Sequence, residues 1–286
     1  MHTPIIDVSF IIIDYKALLP LQKLLATIHE KTTGVIYEII VVDNSGDDKE
    51  VFFKENYPDI KYINNTRNLG FSKAANIGIR NCTGRYILLL NPDTWFKNNV
   101  ALLLAQFLDS HHDVGIVGSK ILNDDGSIQF SCRSFPSYKT AFFNRYSLLT
   151  KMFPKNKYSM EYINPYNSHD KTSEVDWVSG SCMMIRTQAL KAVGLFDEDF
   201  FMYCEDVDIC HRMKLFGWKV VYHPDAVVYH TIGGSSQQNK IKTVIERHRS
   251  MWIYYKKYFK RNKIIDVTVW LGILCRCIFH VIIALM

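Results

Sequence analysis

The alternation of strand-like and helix-like segments over the first 120 residues most restricts how this chain can fold. Each strand-like run is short, apolar and rich in β-branched or large aliphatic residues, and a helical or polar segment follows it. Such an order predicts a mostly parallel sheet with helices on both faces and right-handed crossovers. The predicted strands are Val8–Ile13, Glu38–Val42, Ile60–Asn64, Tyr86–Leu90 and Val114–Lys120.

The segments between these strands predict helices. Leu18–Glu30 has leucine and isoleucine at helical spacing, and Gly70 permits a tight turn into the helix that follows it. The remaining predicted helices in this half are Lys49–Asn56, Ser72–Asn81 and Asn98–Ser110.

The rhythm is lost between residues 121 and 175, where Asn, Asp, Ser, Lys and Tyr dominate. We expect a long, partly ordered insertion there, with a hairpin near Ile121–Phe130, and long excursions of this kind are often functional. Beyond it, the predicted elements are regular structure at Glu174–Arg186, a helix at Thr187–Val193, and strands at Lys219–Tyr222 and near Ala226–His230.

Composition excludes several classes of protein. With 286 residues, 48% hydrophobic and 22% charged, the chain can bury a sizeable core and is not a disordered protein. The net charge of +6 is modest, and much of the excess lies between Lys256 and Lys263, so no nucleic-acid partner is expected. Seven cysteines without a CxxC pair favour free thiols in a reducing cytosol over a zinc site or a disulfide framework.

One strand end carries a carboxylate in the stretch VVDNSGDD. Asp43 ends a buried strand and enters a Ser/Gly turn. There it could accept hydrogen bonds from a nucleobase imide or a ribose hydroxyl. It could equally be a turn residue that caps the next helix.

A second strand ends at Asn91-Pro92-Asp93. Pro92 has no N–H with which to continue a ladder, so Asp93 lies just beyond the carboxyl end of a core strand. Ligands of open α/β sheets bind at that edge. Mg²⁺ commonly takes one or two protein carboxylates together with substrate phosphates, which suits Asp93. The alternative is that Asp93 caps the following helix.

The stretch FMYCEDVDICHR contains three close carboxylates among apolar residues. On a helix, Glu205 and Asp208 would share a face, with Asp206 turned about 100° away. Crowding in a partly apolar setting raises carboxyl pKa values toward the range of a general base. The alternative is a helix N-terminus with acids placed on its dipole, in which Arg212 pairs with Asp208.

Two further motifs are weaker on their own. The stretch RNLGFSKAANIG is Gly-rich but is neither a dinucleotide fingerprint nor a Walker loop, and it leads into a helix N-terminus that could attract an anion. In VVYHTIGGSS, His230 follows a strand and is either a metal ligand or merely structural. Gly233 and Gly234 could hinge a lid over a site.

Taken in this order, the motifs resemble the family 2 glycosyltransferases with the GT-A fold. They are most similar to bacterial rhamnosyltransferase-like members that build cell-surface polysaccharides. The similarity extends from about Val8 to Tyr258. The ordered set comprises a strand with Asp-Asn-Ser, Asn-x-Gly-Phe-x-x-Ala-x-Asn-x-Gly, Leu-Asn-Pro-Asp, Trp-x-x-Gly, Glu-Asp-x-Asp, and a late His with Gly-Gly-Ser-Ser.

The resemblance implies a binding site for a nucleotide-sugar donor. Asp43 would contact the base, with further base contacts near Tyr15. Asn91 and Asp93 stand where the family has its Asp-x-Asp motif, so one metal-binding carboxylate is replaced by an amide. The other residues implied for the donor pocket are Asn68 and Gly70, with Ala74 and Asn76 on the helix that follows.

The resemblance also implies a metal and a single inverting displacement. Asp93, assisted by His230, would hold Mg²⁺ or Mn²⁺ on the donor diphosphate. Asp206 would be the catalytic base, tuned or oriented by Glu205 and Asp208. The residues implied on the sugar and acceptor side are Trp177 and Gly180.

The C-terminal segment Ile264–Met286 is long and apolar enough to suggest a membrane helix. Because Arg276 lies near its middle, and Asp266 and His280 fall on the same arc, an amphipathic helix in the membrane interface is favoured over a spanning one. Preceding aromatic and cationic residues suit an anionic membrane surface. An ordinary buried helix or a dimer contact is the alternative.

These inferences predict how the chain is divided into two regions and where the protein is located in the cell. Residues 1–250 would form the GT-A domain, with a nucleotide-sugar-binding half at 1–120 and an acceptor and catalytic half at 121–250. Residues 251–286 would hold the protein peripherally on the cytoplasmic face of the bacterial inner membrane, facing a lipid-linked saccharide acceptor. The oligomeric state is not predicted.

The expected reaction is transfer of L-rhamnose from dTDP-rhamnose in surface polysaccharide or O-antigen synthesis. Other donors of the same fold, a UDP-hexose or UDP-galactofuranose, remain open. A non-catalytic nucleotide-sugar-binding relative is a further alternative, against which the intact Glu205-Asp206 pair argues. A nucleotidyltransferase would need a basic Gly-rich loop early in the chain, and IIIDYKALLP has none.

Overall fold

The computed structural model describes residues 5–136, 152–153, 169–231 and 240–285. The strands within these residues are β1 Val8–Asp14, β2 Tyr37–Asp43, β3 Ile60–Asn64, β4 Tyr86–Leu90, β5 Thr94–Phe96, β6 Val114–Leu122, β7 Ile128–Gln129, β8 Cys132–Arg133, β9 Ser173–Glu174, β10 Trp177–Val178, β11 Cys182–Arg186 and β12 Lys219–His230. Ten of them form a mixed sheet with the order β3-β2-β1-β4-β11-β6-β12-β5, in which β7 pairs with β6 and β9 pairs with β12. Strands β8 and β10 pair separately.

Helices cover both faces of the sheet, as the sequence predicts. The apolar sides of the first, second and fourth helices pack on one face, and those of the third, fifth and sixth pack on the other. The described helices are α1 Leu18–Lys31, α2 Glu50–Asn56, α3 Phe71–Arg80, α4 Val100–Ser110, α5 Thr187–Val193, α6 Glu205–Leu215, α7 Lys240–Tyr258 and α8 Lys263–Leu285.

The four strands β3, β2, β1 and β4 are parallel and nearly in register. Asp14 pairs with Asp43, Asp43 pairs with Asn64, and Ile12 pairs with Leu90. The carboxyl ends of these strands therefore meet at one edge of the sheet, which brings the polar residues that follow them together. This confirms the parallel sheet predicted for the first half of the chain.

The second half of the sheet is mixed. Strand β11 runs antiparallel to both β4 and β6, whereas β6 and β12 are parallel. The chain reaches β11 through residues 179–181, which lie at the carboxyl edge of β4, so β11 has to run back from that edge. Residues 179–181 thereby become part of the same edge as the ends of β1 and β4.

Among the predicted bounds that differ from the structure, two have a clear physical cause. The strands predicted at Lys219–Tyr222 and Ala226–His230 are one strand, β12, whose register shifts between His223 and Val227. Pro224 has no N–H for the ladder, and a local irregularity absorbs it.

The helix predicted from Asn98 begins at Val100, and Asn99 is its N-cap, with a side-chain oxygen that accepts from Leu102 N at 3.3 Å. Asn98 instead bonds to the irregular part of β12, through Asp225 O and Val227 N.

Part of the predicted insertion can be compared with the structure. The expected hairpin is present, because β7 pairs antiparallel with the end of β6. Residues 137–151 and 154–168, and the proposed lid glycines Gly233 and Gly234, lie outside the described residues.

The last two helices form an antiparallel hairpin. Tyr255 OH donates to Asp266 Oδ1 at 2.8 Å, and the rings of His248 and His280 lie 5.3 Å apart. The polar arc predicted for the C-terminal helix therefore faces α7 at two positions. Helix α8 has the length and composition of a membrane span, and none of its described residues is buried. It is a candidate membrane-associating helix, not the buried helix of the alternative prediction.

Strand β10 lies against β6 at a position where only glycine fits. A Cβ placed on Gly118 would lie 2.6 Å from Val178 Cβ and 2.8 Å from its Cγ1. This close approach holds β10, and with it residues 179–181, against the sheet.

We expect Gly118→Ala to lower the free energy of unfolding by about 1–3 kcal/mol, because the added methyl overpacks this contact. Urea denaturation of the purified protein measures the change. In a Val178→Ala background the same substitution should cost less, since two of the three clashing atoms, Cγ1 and Cγ2, are gone and only the Cβ remains. Gly272→Ala, where an added Cβ meets nothing within 4 Å, is the matched control. An equal loss in both backgrounds would contradict the contact as the cause.

Candidate active site

A cavity of about 370 Å³ opens at the carboxyl edge of the parallel strands. It is lined by residues that follow β1 and β4, by residues 179–181 before β11, and by His230 at the end of β12. Residues 201–206 and the N-terminal part of α7 complete it. Among the predicted site residues, the lining includes Tyr15, Asn68, Gly70, Asn91, Asp93, Gly180, Glu205, Asp206 and His230.

Asp93 and His230 face one another in this cavity. His230 Nδ1 lies 2.7 Å from Gln129 Oε1, and the Gln129 amide nitrogen donates to Asn123 Oδ1 at 2.9 Å. This network assigns the proton of a neutral His230 to Nδ1 and leaves a lone pair on Nε2. The Nε2 atom lies 3.2 Å from Asp93 Oδ1, a buried oxygen that accepts no hydrogen bond from the described residues.

Two acceptor atoms this close repel each other, whereas a cation between them would be attracted to both. Carboxylate and imidazole groups can both bind Mn²⁺, and carboxylate groups bind Mg²⁺. Among the described residues, no group of three or more His, Cys, Asp or Glu could hold a metal ion. A cation here would therefore take its remaining ligands from a substrate or water, as Mg²⁺ usually does.

Asn91 completes this corner of the cavity. Its Nδ2 donates to Ser181 Oγ at 3.3 Å and lies 3.5 Å from His230 Nε2. Its backbone N–H donates to Ser181 O at 3.1 Å. Asn91 thus joins the end of β4 to the segment that enters β11. An aspartate at position 91 would instead add a second negative charge beside Asp93.

Helix α6 begins with the two carboxylates that enter the cavity. Asp206 Oδ2 accepts from Gly180 N at 3.1 Å, and its Oδ1 accepts from Val207 N at 2.9 Å. Glu205 is buried, and its Oε2 has no hydrogen-bond partner among the described residues. The negative charge is therefore better accommodated on Asp206 than on Glu205.

The pKa directions follow the same contrast. Burial, and then the charge of Asp206, raise the pKa of Glu205 well above its ordinary value of 4.5. Burial also raises the pKa of Asp206, but the N–H groups of Gly180 and Val207 oppose that rise. Two neighbouring carboxyls whose environments separate their pKa values suit different roles, one as proton holder and one as base.

Asp208 differs from the sequence expectation. It does not line the cavity beside Glu205 but turns toward α7. Its carboxylate accepts from Tyr258 OH at 2.7 Å and Arg212 Nε at 2.8 Å, and Lys257 Nζ lies 2.7 Å away. The predicted pairing with Arg212 is confirmed. Three donors leave Asp208 as an anchor between α6 and α7, remote from any role as a partner of Asp206 in the cavity.

Asp43 is buried beside the cavity and is not part of its lining. Its oxygens accept from Ser45 N at 2.8 Å, from Tyr62 OH at 2.8 Å and from Lys49 Nζ. Although burial raises the pKa of Asp43, these donors hold it below its ordinary value. Lys49 also lies 3.6 Å from buried Asp14, whose pKa is raised by burial and by Asp43. Lys49 thus shares its charge between two strand-end carboxylates.

The glycine motif forms one wall of the cavity, and Asn44 holds it in place. Asn44 Oδ1 accepts from Asn65 Nδ2 and Leu69 N, and its Nδ2 donates to Asn68 Oδ1 and Gly70 O, all at 3.0–3.1 Å. Every hydrogen-bonding atom of this side chain amide is therefore used to shape the loop.

Gly70 is the point where this wall contacts the segment before α6. Its φ is +85°, and a Cβ there would lie 2.6 Å from Phe201 O. The next residue, Phe71, donates its N–H to the same Phe201 O at 2.6 Å. Only glycine allows the two backbones to come this close.

The remaining predicted site residues lie behind the cavity. Ala74 is on α3 and is fully buried against the core. Asn76 Nδ2 donates to Phe196 O at 2.9 Å and to Glu198 Oε1 at 3.0 Å, which ties α3 to the segment before α6. Trp177 Nε1 donates to Ser134 O at 3.0 Å. The structure gives these three residues supporting positions, and their predicted binding roles stay predictions.

Sequence reasoning missed several residues of this site. Asn44 belongs to the quoted Asp-Asn-Ser motif, and that was the available signal for it. Lys49 had no signal beyond its distance from Asp43. Lys242 and Arg247 line the cavity from α7, and nothing in the sequence links that helix to the strand ends.

Comparison with known families agrees with this geometry. The sequence profile described as "Glycosyltransferase like family 2" matches residues 7–254. The chain belongs to this family. The resemblance drawn from the ordered motifs is thereby confirmed, and the cavity at the strand ends is the candidate active site of a family 2 glycosyltransferase.

Two curated relatives are similar over most of this glycosyltransferase. The N-acetylglucosaminyl-diphospho-decaprenol L-rhamnosyltransferase of Mycobacterium tuberculosis is 27% identical over 246 residues, 82% of this chain and 79% of that protein. Rhamnosyltransferase WbbL of Escherichia coli (strain K12) is 28% identical over 212 residues, 71% of this chain and 75% of that protein.

Solved structures show the fold. The mannosyltransferase PcManGT from Pyrobaculum calidifontis, crystallised with GDP-Man and Mn²⁺, aligns with a TM-score of 0.57 and 17% identity over 91% of this chain and 66% of that one. TarS of S. aureus aligns with a TM-score of 0.56 and 18% identity. The match covers 84% of this glycosyltransferase but only 39% of the TarS chain. The α/β architecture is the GT-A fold predicted from the sequence.

The raised pKa of Glu205 has a measurable consequence for stability. The native protein holds this proton to a higher pH than the unfolded chain does, so the free energy of unfolding falls as pH rises from 4.5 through the folded pKa. Glu205→Gln removes this dependence. We expect the free energy of unfolding of the variant to rise relative to that of the wild type by up to about 1.4 kcal/mol for each pH unit across that range.

Urea denaturation between pH 4.5 and 8.5 measures the difference. Glu55→Gln, which changes an exposed glutamate on α2, is the control and should follow the wild type. A Glu205→Gln variant that is less stable than the wild type by the same margin at every pH would show that Glu205 is ionised in the native state.

Proposed function

We propose that this enzyme transfers a sugar from a nucleoside diphosphate donor to an acceptor hydroxyl, with inversion at the anomeric carbon. The observation that supports this most is the convergence in one cavity of the Asp93–His230 pair and of Asp206, a half-buried carboxylate held by two backbone N–H groups. The first suits a metal-bound diphosphate, and the second suits a general base.

The proposed donor is dTDP-L-rhamnose. Both curated relatives described above carry rhamnosyltransferase in their names. A UDP-hexose or UDP-galactofuranose is the second candidate, favoured by a TarS structure solved with UDP. Tyr15, Asn68 and Gly70 line the cavity and would bind the nucleotide, while Asp43 and Lys49 would support that wall from behind. Ala74 and Asn76 would hold the helix that follows.

The proposed cofactor is Mg²⁺ or Mn²⁺, held by Asp93 and His230 with Asn91 beside them. Similar folds were crystallised with Mn²⁺. When bound, the metal would neutralise the charge that develops on the departing nucleoside diphosphate. Gln129 keeps the Nε2 lone pair of His230 directed at Asp93, so the site is arranged before any ion binds.

Asp206 would take the proton from the acceptor hydroxyl as that oxygen attacks the anomeric carbon. The Gly180 N–H fixes the carboxylate toward the cavity, and the raised pKa brings it closer to that of a useful base. Glu205 would stay protonated beside it and so would not compete for the same proton. Trp177, behind the cavity, and Gly180 would shape the acceptor side.

The proposed acceptor is a lipid-linked saccharide at the cytoplasmic face of the bacterial inner membrane. The mycobacterial relative is named for a diphospho-decaprenol substrate. Here the exposed apolar face of α8 and the nearby Lys256, Lys260 and Arg261 would hold residues 251–286 on an anionic membrane surface. The division of residues 1–250 into a donor half, 1–120, and an acceptor half, 121–250, belongs to the same proposal.

Donor binding tests the metal site directly. We expect one nucleotide sugar from a panel to bind by calorimetry only when Mg²⁺ or Mn²⁺ is present. Asp93→Ala should weaken that binding by about tenfold or more, since a charged metal ligand is lost. Asp109→Ala removes a carboxylate remote from the cavity and should leave binding unchanged. A folded protein that binds no donor in the presence of the metal would contradict the proposed function.

Turnover separates the two carboxylates of α6. Asp206→Asn should lower kcat by about 10²–10⁴-fold, because a positioned base contributes that much, while donor affinity is kept. Glu205→Gln should keep kcat within about tenfold, since a protonated glutamate and glutamine are both neutral. Initial rates of sugar transfer measure both. The reverse ranking would assign the base to Glu205.

A further inference from the structure

Helix α7 brings two cations into the cavity in addition to the Asp93–His230 pair proposed for the donor diphosphate. Lys242 and Arg247 line it together with Glu246, at the opposite end of α7 from the Lys256–Lys263 cluster. Lys242 Nζ lies 4.8 Å from the centre of the Phe201 ring, and the Arg247 guanidinium lies 4.8 Å from the centre of the Tyr203 ring. Both cations therefore border the segment that leads into Glu205 and Asp206.

The fold fixes this placement of α7. Ser250 Oγ donates to Met202 O at 2.8 Å, within the same segment before α6. Further along, Tyr258 OH and Lys257 Nζ both bind Asp208, the carboxylate of α6 that turns away from the cavity. Tyr203 and Cys204 both have positive φ, of 70° and 64°, a strained backbone that such contacts have to hold. The cations are thus pre-arranged, which lowers the cost of binding an anion.

The neighbourhood of Arg247 leaves it suited to an anion. Within the described ranges, the structure gives its guanidinium no carboxylate partner, and its contact is with the face of the Tyr203 ring. A guanidinium stacked in this way keeps N–H groups at its edge, the fork that binds phosphate in a bidentate manner.

The same end of α7 lies beside an apolar surface. Because the α7–α8 hairpin is antiparallel, with His248 beside His280 and Tyr255 beside Asp266, the last residues of α8 lie alongside the part of α7 that carries Arg247. Ile282, Ile283 and Leu285 of that end are each more than half exposed. A cationic corner of the cavity therefore adjoins an exposed apolar strip.

We infer that Lys242 and Arg247 bind the diphosphate of a lipid diphosphate acceptor, whose apolar chain lies along the end of α8. The inference rests on the proposed function and adds to it the residues that select the acceptor. A ligand that satisfies both surfaces has an anionic head joined to an apolar tail. Binding there directs the saccharide on the diphosphate toward Asp206, while the donor diphosphate occupies the Asp93–His230 corner.

Farnesyl diphosphate is the probe, with farnesol as its phosphate-free match, added to the full chain in dodecyl maltoside micelles and followed by calorimetry. Arg247→Ala and Lys242→Ala should each weaken farnesyl diphosphate binding by about 10- to 100-fold, since hydrogen bonds to a charged group are lost. Lys54→Ala removes the same charge from an exposed position on α2, away from the cavity, and should change binding less than twofold. Arg247→Lys, which keeps the charge, covers the case in which the alanine variant fails to fold.

Two further arms separate this site from other anion sites. Binding of dTDP with Mg²⁺ should be unchanged in Arg247→Ala, and an equal loss there would assign the cations to the donor. Binding to phosphatidylglycerol vesicles should fall in Lys256→Ala and not in Arg247→Ala, and the opposite result would make this a general lipid headgroup contact. Unchanged farnesyl diphosphate affinity in both alanine variants would also overturn the inference. A wild type that binds the probe but no nucleotide would refute only the proposed function.

Discussion

The contact between Gly70 and Phe201 sets the geometry on which the active site depends. The glycine loop at residues 67–71 and the segment before α6 are far apart in sequence, and they meet at a backbone hydrogen bond of 2.6 Å from Phe71 N to Phe201 O. No side chain at residue 70 is compatible with this approach. Asn44 holds one side of the contact and Ser250 holds the other, so the glycine loop, α6 and α7 are positioned by one shared point.

The carboxylates near this contact differ in how they are partnered. Each carboxylate at the strand ends or on α6 either has donors or faces the cavity: Asp43 is paired with Lys49, Asp208 is held by three donors, and Asp206 is held by two N–H groups. Asp14, Asp93 and Glu205 each have one buried oxygen with no hydrogen-bond partner among the described residues, and that of Asp14 lies 3.6 Å from Lys49 Nζ. The Asp93 oxygen suits a cation and the Glu205 oxygen a retained proton, and the proposed function assigns metal binding and proton transfer to these two neighbouring parts of one cavity.

Local patterns predicted much of this fold because the parallel half is built from consecutive strands and short crossovers. The strands at 60–64 and 86–90 and the helix at 187–193 were predicted with the bounds the structure has, and Asp93 and Asp206, singled out from the motifs and the family resemblance, both line the cavity. Contacts between distant segments were not predictable. The antiparallel course of β11, the turn of Asp208 toward Tyr258, and the entry of Lys242 and Arg247 into the cavity all depend on tertiary packing, which leaves no periodic signal in the sequence.

The stereochemistry of transfer tests the central claim most directly. In the proposed function, Asp206 is the one base and Glu205 keeps its proton, so a single displacement is expected, in which the acceptor oxygen attacks from the side opposite the departing diphosphate. Proton NMR of the first product formed from an anomerically pure nucleotide sugar reports the configuration of the new bond. The account predicts inversion. Retention of configuration would contradict it, because a second nucleophile in the cavity would then be required.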